Sequence, residues 1–186
     1  MPRGTSVLDW PCGRGHLLPL LKRFGYRVTC ADSSSHAVAQ ARFYGGFLGE
    51  SCIDDTDDFQ FVDILQAGFD DDCFGAAIVN HLFCHFPESQ MRQQVLKELA
   101  RMCSGPIVVS FFRIVAVEKT VCYEHDGSCK HQMRDHVPVS RRSFAEEVSE
   151  CGLIVEKWVP KHSLISKQAC AVLVRDKGAI RPSRLP

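Results

Sequence analysis

The sequence predicts an α/β fold: a three-layer sandwich on a mostly parallel, seven-stranded sheet with an antiparallel hairpin at one edge. Three observations carry that expectation. The stretch VLDWPCGRGH, Val7 to His16, joins a short apolar run to a glycine turn and then to leucines at helical spacing. The run RVTCA, Arg27 to Ala31, reads as a second buried strand with Asp32 at its tip. Further short apolar runs alternate with helix-length segments as far as Phe112, the pattern of successive βαβ units.

Each element has its own local reason. Val7, Leu8 and Asp9 end the first strand, and a helix from about Gly15 to Phe24 stops at Gly25. Ser33 to Ser35 supply N-caps for a second helix, which turns Ala37, Val38, Ala41 and Phe43 to the sheet and ends at Gly45, Gly46 and Gly49. Asp54 to Asp58 read as a solvated acidic loop. Strand three is expected at Gln60–Asp63 and strand four at Ala76–Asn80, after a turn at Asp70–Asp72. A helix with Val95, Leu96 and Leu99 on its apolar face closes at Gly105, and Pro106 opens strand five, Ile107–Phe112. Ser140 or Ser143 caps the last helix, which stops at Gly152, and Leu153–Trp158 with Gln168–Val174 form the edge pair. Residues 1–176 thus make one domain, with 114–138 as an inserted lid and 177–186 as a disordered tail.

The glycine turn narrows the ligand. Dinucleotide sites place a third glycine where helix, strand and pyrophosphate meet, but Gly13-x-Gly15-x-x-Leu18 has a leucine there. An adenosyl ligand without phosphates is favoured over a dinucleotide. Asp32, seventeen residues beyond Gly15, stands where a carboxylate can accept both hydroxyls of a ribose.

Composition excludes other classes. Lys plus Arg equals Asp plus Glu at 22 each, which leaves no basic footprint for nucleic acid or acidic membranes. No apolar run is long enough to span a bilayer, and no secretion signal precedes the first strand. Of the ten cysteines, Cys12, Cys30, Cys84, Cys103 and Cys170 lie in or beside apolar elements. They read as small hydrophobes in a reduced, cytoplasmic protein rather than as a disulfide framework.

With VTCAD after it, VLDWPCGRGH resembles the cofactor site of class I, Rossmann-like S-adenosylmethionine-dependent methyltransferases. Phe61-Val62-Asp63 resembles their third-strand acidic motif, and FDDDCFGAAIVNHLFCHF (Phe69 to Phe86) the fourth-strand motif of small-molecule members. QVLKELARMCSGPIVVSFF (Gln94 to Phe112) is similar to the helix and strand that follow, and SFAEEVSECGLIVEKW (Ser143 to Trp158) matches more loosely. The resemblance implies S-adenosylmethionine as cofactor, S-adenosylhomocysteine as product and a small-molecule acceptor. It implies that Gly13 and Gly15 pass under the methionyl part and ribose, with Cys12 a small side chain in the turn and Trp10 shielding the site. Asp9 would hold the turn and the methionine amino group, Asp32 the ribose hydroxyls, and Asp63 with Ile64 the adenine, with Ser33 also in the cofactor site. Most members carry helices before strand one; here six residues precede it, so either the chain is truncated or 114–138 supplies the cover.

Methyl transfer from a sulfonium needs nucleophile and methyl held in line in a dry pocket, and a base only when the acceptor arrives protonated. His81 and His85, just beyond strand four, are the candidates, because histidine titrates near neutral pH. Asn80 is placed to hold substrate or the methionyl carboxylate. Cys122, His125, Cys129, His131 and His136 crowd into 15 residues, but their spacing fits no common zinc pattern, and a polar lid with no metal is the reading. Arg141 and Arg142 read as a solvated face at a helix start. No Asn-Pro-Pro-Tyr-like run follows strand four, which by the same resemblance argues against base or amide nitrogen acceptors. Two other classes stay open: a cofactor-binding but inactive partner protein, as a homodimer or with another chain, and, more distantly, a nicotinamide-dependent oxidoreductase.

Overall fold

The structure, a computed structural model, describes residues 1–47, 57–112, 138–159 and 168–179. Seven strands, β1 (Ser6–Asp9), β2 (Arg27–Asp32), β3 (Asp58–Phe61), β4 (Ala76–Val79), β5 (Ile107–Phe112), β6 (Leu153–Val159) and β7 (Gln168–Arg175), form one sheet. Their order is β3-β2-β1-β4-β5-β7-β6. The first five are parallel, and β7 runs antiparallel between β5 and the edge strand β6. The direction of winding reverses between β1 and β4, and in open parallel sheets such a reversal leaves a crevice beyond the strands' carboxyl ends.

Helices α1 (Leu18–Arg23), α2 (Ser35–Phe47), α3 (Ser89–Met102) and α4 (Arg141–Glu150) cover the sheet. Alternate strand residues sort into two cores. Val7, Val28, Cys30 and Ala76 pack with Leu18 and Leu21 of α1 and Ala41 of α2. Leu8, Ala77, Val79, Ile107, Val109 and Phe111 pack with Leu96 and Leu99 of α3 and Phe144 and Val148 of α4. The period of two along each strand is what lets one sheet bury both faces.

Several boundaries differ from the sequence expectation, each for a local reason. The first helix begins at Leu18 rather than Gly15, because residues 13–17 form successive turns and Pro19 seeds the helix in its first turn. The second helix runs through Gly45 and Gly46 to Phe47, and Phe43 is 67% exposed instead of facing the sheet. Strand three starts at Asp58, because its pairing with Thr29–Asp32 sets the register. The acidic run is not solvated throughout: the Asp57 side chain is fully buried, 2.9 Å from Lys22 Nζ, and accepts the Val28 N–H at 3.2 Å, while Asp58 is exposed. The third helix ends at Met102, before Gly105. Ser140 is the N-cap of α4, its hydroxyl accepting the Ser143 N–H at 3.0 Å. The proposed lid (up to residue 137), its cysteine and histidine cluster, Asp54 to Thr56 and the tail beyond Ala179 lie outside the described residues.

Candidate functional site

A cleft of about 580 Å³ opens at the carboxyl ends of β1, β2 and β4. Its size is that of a cofactor or small-ligand pocket. It brings together Asp9, Cys12, Gly13, Asp32, Ser33, Asn80, His81 and His85. Pro11, Arg14, His16, Leu17, Leu82 and Phe86 complete the wall. Those six did not stand out in the sequence, since no pairing or spacing marks a turn or loop residue that merely faces a cleft.

The floor is held by Asp32. Its two carboxylate oxygens accept the Gly13 N–H at 3.0 Å and the Ser34 N–H at 2.9 Å, so one side chain ties the glycine turn to the start of α2. The Ser34 hydroxyl then caps that helix by accepting from Ala37 N at 3.3 Å. Gly13 has φ +53, a left-handed conformation, and a Cβ there would stand in open space at the cleft.

Asp9 is the unusual group. It is 1% exposed, and neither carboxylate oxygen has a hydrogen-bond partner among the described residues. Burial, with the neighbouring Asp32 charge second, raises its pKa from 3.8 to about 7. An unpartnered buried carboxylate is costly and calls for a cation or donor to complete it.

The opposite wall follows β4. His81 has φ +62, uncommon for a residue with a side chain. Its N–H donates to Ser110 Oγ at 3.0 Å, and its carbonyl accepts from Cys84 Sγ at 2.9 Å. Backbone outside the helical and extended regions persists only where its surroundings hold it, and it clusters at functional sites.

Four expected site residues stand outside this lining. Trp10 is 1% exposed and packs edge-on against Phe69 at 6.0 Å, a core role that leaves it no face toward a ligand. Gly15, at φ +75, turns toward α2; a Cβ there would meet Ala41 at 3.1 Å. Asp63 instead caps the short 3-10 turn Ile64–Gln66, accepting the Leu65 N–H at 2.9 Å, and Ile64 is buried in the core. The Cys30 thiol, hydrogen-bonded to Cys12 and buried, is held well above its ordinary range and so packs rather than reacts. At the start of α4, exposed Arg142 pairs with Glu146 at 2.9 Å and Arg141 lies over the Trp158 ring. No group of metal-ligating side chains occurs among the described residues.

A reversed parallel sheet with an acid-lined cleft at its switch point matches a known family. The methyltransferase domain model matches residues 8–105, and the chain belongs to that family. Solved structures share the fold at low identity. A magnesium protoporphyrin IX methyltransferase from Synechocystis PCC 6803, with S-adenosylhomocysteine bound, is 18% identical over 93% of this chain and 75% of its own, with a TM-score of 0.75. A Haloferax volcanii methyltransferase in complex with the activator Trm112 is 19% identical over 94% and 84%, with a TM-score of 0.68. The mitomycin 7-O-methyltransferase is 17% identical over 92% and 49%, with a TM-score of 0.70. No curated protein matches the sequence significantly. No helix of the described residues is long and apolar enough to cross a membrane.

Proposed function

We propose that this methyltransferase binds S-adenosylmethionine in the β1–β4 cleft and transfers its methyl group to a small molecule. The observation that carries the reading is Asp9, an unpartnered, buried carboxylate in a cleft of cofactor size. Its chemistry fits a cationic amino-acid end, whose ammonium supplies the missing donors. Asp32 would take the ribose hydroxyls, and the open space over Gly13 admits a ligand backbone where a side chain would block it. When bound, the cofactor supplies a methyl group already activated on sulfur.

The chain's own task is then positional. Leu17, Leu82 and Phe86 give the cleft an apolar wall against which an acceptor would be shielded from water, and His81 and His85 would face that acceptor. For a hydroxyl or ammonium acceptor these histidines are the side chains suited to take the proton; an acceptor that arrives as an anion needs neither. A small acceptor fits the zero net charge, which offers no basic face to a nucleic acid. Free thiols, seven among the described residues, fit a reduced, cytoplasmic setting.

Titration calorimetry with S-adenosylhomocysteine and with NAD tests the cofactor. The homocysteine ligand binds, NAD does not, and Asp32→Ala weakens binding at least tenfold; an unchanged affinity in that variant sinks the ribose assignment. A methyl-donor turnover screen over small hydroxy, thiol, carboxylate and amine acceptors then identifies the substrate. Binding without turnover on any of them would favour a non-catalytic partner role.

A further inference from the structure

Ser110 sits on β5, one strand away from the residues that line the cleft, and its hydroxyl is used twice. It accepts the His81 N–H at 3.0 Å and donates to Asn80 Oδ1 at 2.5 Å. The second bond fixes the Asn80 amide. With its oxygen turned to Ser110, Asn80 keeps its NH2 group, which has no partner among the described residues, free to donate, and Asn80 lines the cleft.

Asn80 and Asp9 end neighbouring strands. Asp9 is paired with Ile78, two residues before Asn80, and adjacent strands lie about 4.8 Å apart. A buried carboxylate on one strand and an oriented amide donor on the next match the ammonium and carboxylate carried by one α-carbon. We infer that Ser110 is a positioning residue: through its hydroxyl it turns the Asn80 amide so that the NH2 donates to the amino-acid carboxylate of the bound cofactor. This rests on the cofactor reading above and assigns a role to a residue that does not itself line the cleft.

Calorimetry with two probes tests it, S-adenosylhomocysteine and 5′-methylthioadenosine, which lacks the amino-acid end. A hydrogen bond to a charged group makes the expected loss about tenfold or more. Ser110→Ala weakens S-adenosylhomocysteine about tenfold and leaves 5′-methylthioadenosine within about twofold. Ser110→Thr keeps a hydroxyl and restores the affinity. In an Asn80→Ala background, Ser110→Ala has no further effect, as a residue acting through Asn80 requires.

Equal loss for both probes, with the Thr variant equally impaired, would reduce Ser110 to a general structural role and overturn the inference. So would an unchanged S-adenosylhomocysteine affinity in Ser110→Ala. If the unsubstituted protein binds neither probe, the cofactor reading itself falls, and the Ser110 assignment with it. Binding of both probes by the unsubstituted protein, without the selective loss, leaves that reading standing and removes Ser110 alone.

Discussion

Burial holds the Asp9 carboxyl well above the ordinary range of an aspartate. Its folded-state pKa of about 7 lies above the value of 3.8 expected for an exposed aspartate. Folding therefore takes up a proton between those two values. The contribution of Asp9 to stability is fully present below pH 4, declines as pH rises, and is lower by roughly 4 kcal/mol once pH passes 7. Asp9→Asn removes the titration and keeps the shape. The variant should unfold at higher denaturant than the parent at pH 8, by up to about 4 kcal/mol, and converge with it toward pH 4. On the proposed binding mode the same change removes the partner of the cofactor's ammonium, so S-adenosylhomocysteine affinity should fall about tenfold or more while stability rises. Urea titrations at the two pH values, beside calorimetry, check both halves. A variant no more stable than the parent at pH 8 would mean that solvent already relieves the carboxylate.

At the scale of elements, the third and fourth helices are joined by charge as well as by apolar packing. Arg92 of α3 forms a paired bond to Glu147 of α4 (Nε to Oε2 2.9 Å, Nη2 to Oε1 2.5 Å), with both side chains 7% exposed. Its remaining nitrogen donates to the carbonyls of Phe86 and Pro87 at 2.8 Å each, so the pair also holds the loop that brings Phe86 to the cleft. Arg92→Ala strands a buried carboxylate and should destabilise by about 3–5 kcal/mol. The double change Arg92→Met with Glu147→Leu removes both charges and should recover most of that loss in urea unfolding, yet still weaken ligand binding through the freed loop. A double variant as unstable as the single one would assign the loss to packing.

None of this network was legible in the sequence. The apolar stripe Val95, Leu96, Leu99 shows in the hydropathy period, and it faces the core as expected. Arg92, Glu98 and Arg101 are also buried on that helix, and period counting assigns charges to solvent. Glu98 and Arg101 pair with each other on the helix at 2.8 Å, but the other partners stand elsewhere: Glu147 is 55 residues from Arg92, and Asp71 is 30 from Arg101. Local signals read better. The strand, glycine turn and tip carboxylate at Asp9, Gly13 and Asp32 were legible because a strand, a tight turn and a helix in succession restrict residue type within a short stretch. Trp10 and Gly15 lie in the same stretch, but their directions are set by Phe69 and Ala41, which no local motif encodes. Asp63 was found as an acidic position, although its visible role is to cap a turn.

For the whole molecule, the cleft straddles the centre of the sheet, where β1 meets β4, so a ligand there bridges the two halves of the parallel core. Binding to the folded state alone raises unfolding free energy by about 2.7 kcal/mol at a hundred times Kd. For a chain of 186 residues that corresponds to a rise in Tm of about 5–10 °C. On the proposed binding mode, Asp9 makes the rise depend on pH. Its carboxylate meets an ammonium only when ionised, so below its pKa of about 7 the ligand must first displace a proton. Affinity then falls about tenfold per pH unit. At one fixed concentration of S-adenosylhomocysteine, the shift at pH 6 should be roughly half that at pH 8. In Asp9→Asn the two shifts should be equal, because nothing at that position titrates. Scanning calorimetry with and without ligand measures all four. A pH-dependent shift that persists in the variant would place the responsible proton elsewhere in the cleft, His81 or His85 being the nearest candidates by position.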